Sequence, residues 1–344
     1  MQNSARYTWE KPYIWIRLIA QEPKAWIYDR QSRTGETPVK MIEVANLTRK
    51  FGDFTAVDSL TFNLDRGEVF GLLGPNGAGK TTTVRILCCL ISKTSGSVRI
   101  GDLDTSDRDD AMKIRKMIGL VPDNVGLYDA LGAYANLEFY GRMYEFPEKL
   151  LKENIEKYLK MLDLWDKKDL PVGSFSKGMR QKVSLARALV HDPEVLFMDE
   201  PTANLDPEAA KTIRDVILDL RRENRTILLN THNLDEAQRI CNRIGVLKTR
   251  LIAVDTPENL AKLVSGRKTV VLLEEMNDRI LGAVRALNPR SVETEGNKIA
   301  VGMADPDRET PAIITAIVSS GGKVRSVSET GASLEDIYLQ LVRE

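Results

Sequence analysis

Cysteine and histidine are scarce in this sequence, and it has no long apolar run. Its 344 residues include three cysteines and two histidines. Cys88, Cys89 and Cys241 form no disulfide or metal framework, and they are typical of a reducing compartment. No stretch approaches the roughly 20 apolar residues of a membrane-spanning helix, and the first 20 residues lack the pattern of a signal peptide. We therefore expect a cytoplasmic chain that does not itself cross a membrane.

Net charge is also absent. The 49 basic and 49 acidic residues balance, which argues against nucleic acid as a partner. The length is sufficient for two or three domains, each with a substantial core.

The first 40 residues show no sustained strand or helix period, although they contain Trp9, Trp15 and Trp26. A regular pattern begins at Met41. An added docking segment is one interpretation, and a poorly ordered tail, or a true start at Met41, is the other. We favour the poorly ordered N-terminal extension for residues 1–40.

A glycine-rich segment lies between a strand-like run and a helical pattern. The segment, Gly74-Pro75-Asn76-Gly77-Ala78-Gly79-Lys80-Thr81, has the form G-x-x-x-x-G-K-T and follows the apolar residues 69–73. This context predicts a phosphate-binding loop rather than a simple turn with a solvated lysine. Glycines allow consecutive backbone N–H groups to face a phosphate, and the lysine can reach the β- and γ-phosphates. We predict that residues 74–82, including Thr82, bind a nucleotide.

Two apolar runs farther along the chain end in polar residues. Residues 195–198 are followed by Asp199 and Glu200, and residues 226–230 are followed by Thr231 and His232. Such runs are typical of parallel strands buried on both faces. Because ligands bind at the carboxyl ends of these strands, we expect both carboxylates and the histidine to face the phosphate loop. Alone, His232 would be a structural residue more often than a functional one.

The remaining pattern divides the chain into two domains. Residues 41–257 read as an α/β domain with an α-rich insertion at about 119–172, and residues 258–267 read as a linker. Residues 268–344 follow the order β-α-β-β-α-β, which predicts a small α+β domain of ferredoxin-like type. Within the first domain, Ser176 is placed to cap a helix, and Phe51 is either a core residue or a ring that stacks on adenine.

Five motifs in order make residues 42–257 resemble the nucleotide-binding subunit of ATP-binding-cassette (ABC) transporters. They are the phosphate loop, the signature Phe175-Ser176-Lys177-Gly178-Met179, the pair Asp199-Glu200, the loop Ala203-Asn204-Leu205-Asp206, and His232. The resemblance implies a P-loop NTPase fold of the ABC type. Its core is a RecA-like parallel sheet, accompanied by an antiparallel β subdomain and an α-helical subdomain.

The resemblance also implies roles for these residues. Lys80 and the loop N–H groups would hold the phosphates of ATP, and Phe51 would stack on adenine. Thr81 and Asp199 would organise Mg²⁺, Glu200 would polarise the attacking water, and His232 would contact the γ-phosphate. Two subunits would enclose two ATP molecules, so that Ser176 and Gly178 of one subunit complete the site of the other, with Asp206 in the loop between the sites.

The sequence departs from the family pattern at two positions. Asp123 stands where a glutamine is usual, and it could still bind magnesium through water, although it adds negative charge. Lys177 stands where a glycine is commoner, and it is either solvated or an added attraction for the γ-phosphate.

The ending Ser333-Leu334-Glu335-Asp336-Ile337-Tyr338 resembles the ATPases of drug- and antibiotic-exporting systems. That resemblance implies an ATPase at the cytoplasmic face of the membrane, which drives export through a separate permease of the ABC-2 type. An importer ATPase and a soluble ABC ATPase of translation or DNA repair stay open as alternatives. The single phosphate loop and the absence of long heptads argue against the soluble classes.

Overall fold

A computed structural model describes residues 39–263, 267–303 and 306–330. These residues belong to two compact units that divide between Ile252 and Ala253. The expectations for residues 1–38 and for the ending at 333–338 lie outside the described residues. No helix in the described ranges is long and apolar enough to cross a membrane.

The first unit alternates strands and helices. Its strands are β1 (Lys40–Phe51), β2 (Phe54–Asp65), β3 (Val69–Leu73), β4 (Ser95–Ile100), β5 (Leu103–Asp104), β6 (Ile118–Val121), β7 (Val195–Asp199), β8 (Thr226–Thr231), β9 (Arg243–Lys248) and β10 (Arg250–Asp255), the last of which reaches the second unit. Its helices are α1 (Lys80–Leu87), α2 (Arg108–Met117), α3 (Ala133–Met143), α4 (Glu148–Met161), α5 (Lys177–Leu189), α6 (Pro207–Arg222) and α7 (Leu234–Ile240).

A six-stranded sheet forms the centre of this unit, in the order β10-β9-β3-β8-β7-β6. β3, β7 and β8 are buried at every position, and their pairings are parallel. This confirms the prediction of buried parallel strands from continuous apolar runs. Each fully buried large apolar side chain contributes about 1.5–3 kcal/mol to stability, so these short strands hold the sheet together.

A second sheet, in the order β2-β1-β4-β5, is antiparallel. Buried and exposed residues alternate over the second half of β2, from Leu60 to Leu64, as expected for a strand that buries one face.

The α-rich insertion begins later than predicted. We expected it from Gly119, but Ile118–Val121 is strand β6, which pairs in parallel with β7. A run of four residues is too short to show a strand or a helix period, so its pattern does not predict its conformation. Pairing with β7 makes it a strand. The helices α3 and α4 then follow, with Leu137, Leu151, Ile155 and Leu159 buried as the helical pattern indicated.

The second unit contains α8 (Pro257–Leu263), β11 (Arg267–Leu273), α9 (Asp278–Arg285), β12 (Ser291–Glu295), β13 (Lys298–Met303), α10 (Pro306–Ser319) and β14 (Val324–Thr330). From β11 onwards the order is β-α-β-β-α-β, as predicted, and the antiparallel sheet runs β12-β13-β11-β14. Helix α8 occupies part of the segment that we expected to be a linker. The ferredoxin-like class and the domain boundaries stay predictions.

His191 fixes the carboxyl end of α5 against two neighbours. Its ring stacks on Tyr144 with centroids 3.8 Å apart, and its Nε2 lies 2.9 Å from the carbonyl oxygen of Ile118. Burial lowers the pKa of His191 to about 4. The folded chain therefore holds this imidazole neutral, and protonation opposes folding.

Lowering the pH should destabilise the chain through His191. The unfolded chain binds a proton at His191 near the ordinary pKa of 6.5, whereas the folded chain does so only near pH 4. The free energy of unfolding therefore falls as the pH drops below 6.5, and the loss ends near pH 4. Wild-type protein should lose about 2–3 kcal/mol more than His191→Phe between pH 7 and 4.5, as measured by urea unfolding. Equal losses in both proteins would contradict the buried neutral state.

Deleting residues 268–344 should leave the remainder folded. The core of the second unit is formed by residues between Val271 and Ile317, and the six-stranded sheet ends with β10 at Asp255, before the deleted segment. We expect a single cooperative thermal transition by circular dichroism. Aggregation of the shortened chain would place the domain boundary elsewhere.

Candidate functional site

The predicted phosphate loop connects β3 to α1, and two of its glycines have no substitute. Gly79 has φ 101°, and a Cβ there would lie 2.5 Å from the Ala56 carbonyl oxygen. A Cβ on Gly74 would lie 2.4 Å from the Leu247 carbonyl oxygen. Gly77 also has a positive φ of 84° but faces open space. The loop is therefore pressed against β2 and β9 on one side, while its tip, with Asn76, is exposed.

Lys80 begins α1 and is buried. Its Nζ donates to the Gly74 carbonyl oxygen at 2.6 Å and lies 3.6 Å from Glu200 Oε1. The Lys80 ammonium group therefore lies between a carbonyl oxygen of the loop and a carboxylate. Pro75, Ala78 and Thr82 shape the loop and the start of α1, with Ala78 buried and the other two half-buried.

The predicted magnesium ligands Thr81 and Asp199 are in contact. Thr81 Oγ1 donates to Asp199 Oδ2 at 2.8 Å, and Asn230 Nδ2 donates to Asp199 Oδ1 at 3.1 Å. Asn230 Oδ1 is buried, and no hydrogen bond to it is found within the described ranges. A hydroxyl, a carboxylate and an unused amide oxygen suit a hard cation that takes its remaining ligands from phosphate and water. The described residues contain no cluster of three or more His, Cys, Asp or Glu that would hold a metal unaided.

Glu200 and His232 form a pair at the ends of β7 and β8. His232 Nδ1 lies 2.8 Å from Glu200 Oε2, and the His232 imidazole is largely exposed. Glu200 has φ 51°, in the left-handed region that costs a side-chain-bearing residue of order 1 kcal/mol or more. Such strain persists where surrounding contacts impose it, and it is common at functional sites.

Ser176 and Gly178 belong to a second group, at the start of α5. Ser176 Oγ accepts from the Met179 N–H at 3.2 Å, which confirms the predicted helix cap. A Cβ on Gly178 would lie 2.7 Å from Ala209 Cβ and 3.0 Å from Asp206 Oδ2, so the starts of α5 and α6 are in close contact. Lys177 is exposed.

Two further predicted residues lie on the periphery. Phe51 ends β1 and is 46% exposed, and the Arg49 guanidinium lies 4.4 Å from the centroid of its ring. An exposed ring is available for stacking on a base, so Phe51 is not the core residue of the alternative interpretation. Asp123 is exposed on the loop that follows β6.

Sequence reasoning did not single out Asn230, Thr202 or Glu236. Asn230 is a polar residue within an apolar strand. Because a buried polar side chain needs a hydrogen-bond partner, its position could have indicated a site residue. Thr202 and Glu236 are 34 positions apart and joined by a hydrogen bond of 2.7 Å, so no local pattern could have connected them.

Known proteins resemble this chain in sequence. The family model of ABC transporters matches residues 57–203. The chain is 30% identical to the linearmycin resistance ATP-binding protein LnrL of Bacillus subtilis (strain 168), over 88% of this chain and 98% of that protein. It is 33% identical to the Nod factor export ATP-binding protein I of Ralstonia nicotianae, over 89% and 94% of the two chains.

A solved structure shares the fold of this chain. The ATP-binding cassette MJ0796, in a dimeric post-hydrolysis state bound to ADP and Pi, superposes with a TM-score of 0.58 at 28% identity. The match covers 63% of this chain and 98% of that cassette. This chain belongs to the ABC transporter family, as an ATP-binding and ATP-hydrolysing subunit.

Proposed function

We propose that this chain dimerises on ATP and drives export through a separate membrane permease of the ABC-2 type. The observation that carries this proposal is that the predicted site residues fall into two groups with different contacts. One group is linked by contacts around the phosphate loop and consists of Lys80, Thr81, Asp199, Glu200 and His232. The other consists of Ser176 and Gly178, which meet Met179, Asp206 and Ala209 where α5 meets α6.

The start of α5 is suited to an anion that another chain carries. A helix start offers unpaired N–H groups and the positive end of the helix dipole, and Lys177 adds a charge. When two chains meet head to tail, this end would cover the γ-phosphate held by the partner and exclude water from it. The dimeric state of the solved cassette bound to ADP and Pi supports a dimer of this chain.

The residues that would bind and cleave ATP have different proposed tasks. Lys80 and the loop N–H groups bind the phosphates, and Phe51 binds the base. Thr81 and Asp199 would hold Mg²⁺, which neutralises charge that develops on the phosphates, with Asp123 as a further proposed contact through water. Glu200 orients and polarises the attacking water, and His232, already 2.8 Å from Glu200, holds that carboxylate and reaches the γ-phosphate.

The loop after β6 offers a path from this site to a permease. Arg187 of α5 donates to the carbonyl oxygens of Val125 and Gly126 at 2.7 and 2.9 Å, and Arg180 lies 2.7 Å from Asp129 Oδ1. The loop that carries Asp123 is therefore fastened to α5, whose first turn carries the signature. Closure of the signature on a partner's nucleotide would move this loop.

An exposed apolar patch, formed by Leu131, Phe139 and Leu170, continues from the same loop. These side chains are 38%, 37% and 52% exposed. Tyr128 connects the first two, since its ring meets Phe139 edge to face at 5.0 Å and its carbonyl oxygen accepts from the Leu131 N–H. The segment with Leu170 lies beside Leu131, because the Val172 N–H donates to the Leu131 carbonyl oxygen. We propose that a cytoplasmic segment of the permease covers this patch, which would place the subunit at the cytoplasmic face of the membrane.

Glu200→Gln should bind ATP with unchanged affinity but lose at least about 100-fold in turnover, because the amide cannot accept a proton from water. The variant should accumulate as a dimer in ATP and stay monomeric in ADP, measured by light scattering after gel filtration. Lys80→Ala is the control, since it should fail to bind nucleotide and therefore to dimerise. A Glu200→Gln protein that remains monomeric in saturating ATP would refute the proposed cycle.

Replacing Leu131, Phe139 and Leu170 together by serine should abolish co-purification with a co-expressed ABC-2 permease. The ATPase rate of the isolated subunit should stay within about twofold of wild type, because surface changes of this kind alter stability little. Leu150→Ser is the matched control, since Leu150 is 46% exposed on α4 outside the patch. Retention of the permease by the triple variant would exclude this surface as the contact.

A further inference from the structure

Glu236 is a buried carboxyl beside the pair Glu200–His232. Glu236 is only 2% exposed. It occupies the third position of α7, and a glutamate there usually bonds back to the N–H of the capping residue. In this structure the Asn233 N–H donates instead to Thr231 Oγ1 at 3.0 Å, and Asn233 Oδ1 accepts from the Glu236 N–H. The Glu236 side chain therefore turns inward.

Two threonine hydroxyls bond to this carboxyl group. Thr202 Oγ1 donates to Glu236 Oε1 at 2.7 Å, and Thr231 Oγ1 donates to Oε2 at 3.1 Å. Thr202 follows Glu200 by two residues, and Thr231 immediately precedes His232. Glu236 thus joins, from the buried side, the same two loops that the 2.8 Å contact between Glu200 and His232 joins at the surface.

If its role were purely structural, the burial of the Glu236 carboxyl group would cost stability. Burial raises the pKa of Glu236, and a buried carboxylate is destabilising unless its oxygens are bonded. Its hydrogen bond with Thr202 restrains the loop that holds Glu200 in a left-handed conformation. Such a conformation has to be imposed by its surroundings, and the Thr202 bond is one of those restraints.

We propose that Glu236 is a positioning residue for ATP hydrolysis, which holds Glu200 against His232 by joining Thr202 to Thr231. The proposal rests on the roles proposed above for Glu200 and His232. Misplacing a reacting group by about 1 Å can cost about 100-fold in rate. Lys80 and Thr81 make their hydrogen bonds with Gly74 and Asp199, and not with Thr202 or Thr231, so ATP binding should be spared.

The experiment compares Glu236→Leu with Glu236→Gln in the full chain, by phosphate release and by equilibrium binding of ATP. Glu236→Leu should lower kcat by about 10- to 100-fold while KM and the Kd for ATP stay within about twofold. Glu236→Gln should keep kcat within about fivefold, since its carbonyl oxygen still accepts one hydroxyl. Asp235→Leu is the matched control, because Asp235 is exposed in the same helical turn and carries the same charge.

A second pair of variants keeps the test decisive if Glu236→Leu does not fold. Thr202→Val should lower kcat and Thr202→Ser should restore it. Where Glu236→Leu folds, Thr202→Val should add little to it, because both changes break one connection. Wild-type kcat in Thr202→Val, or a loss of rate that matches the loss of ATP-binding sites, overturns the proposal. Glu200→Gln distinguishes a failure of the proposed function from a failure of this inference. A normal rate in Glu200→Gln removes the proposed role of Glu200. An inactive Glu200→Gln together with a fully active Glu236→Leu removes only the role of Glu236.

Discussion

The parallel register of three strands sets the position of every group around the phosphate loop. Leu73 pairs with Thr231 across β3 and β8, and Asp199 pairs with Asn230 across β7 and β8. A slip of one residue would turn the polar ends of these strands to the opposite face of the sheet. The apolar runs that bury the strands therefore also determine where the carboxylates and Lys80 meet.

Charge is balanced inside this site by contacts between its own members. The buried Lys80 lies between a carbonyl oxygen and Glu200, and Asp199 accepts from a hydroxyl and from an amide. Buried ionised groups are costly without such partners. The side chains are therefore ordered before any ligand arrives, and binding has less conformational entropy to remove.

Much of this site could be predicted from local pattern, and the remainder could not. The phosphate loop, the cap at Ser176 and the buried strands each depend on residues close in sequence, so spacing and residue type were sufficient. Residues 119–121 belong to strand β6 and not to the predicted helical insertion, because their conformation is decided by β7, 74 or more positions later. The link from Thr202 through Glu236 to Thr231 depends likewise on the way α7 packs.

The absent side chain at Gly178 has a mechanical consequence. With Ala209 Cβ and Asp206 Oδ2 occupying the space where a Cβ would stand, nothing separates the first turn of α5 from the first turn of α6. Close-packed contacts of this kind transmit displacement instead of absorbing it. The serine of the signature and the aspartate that caps α6 must consequently travel as one rigid block, so neither can be repositioned on a neighbouring molecule without the other.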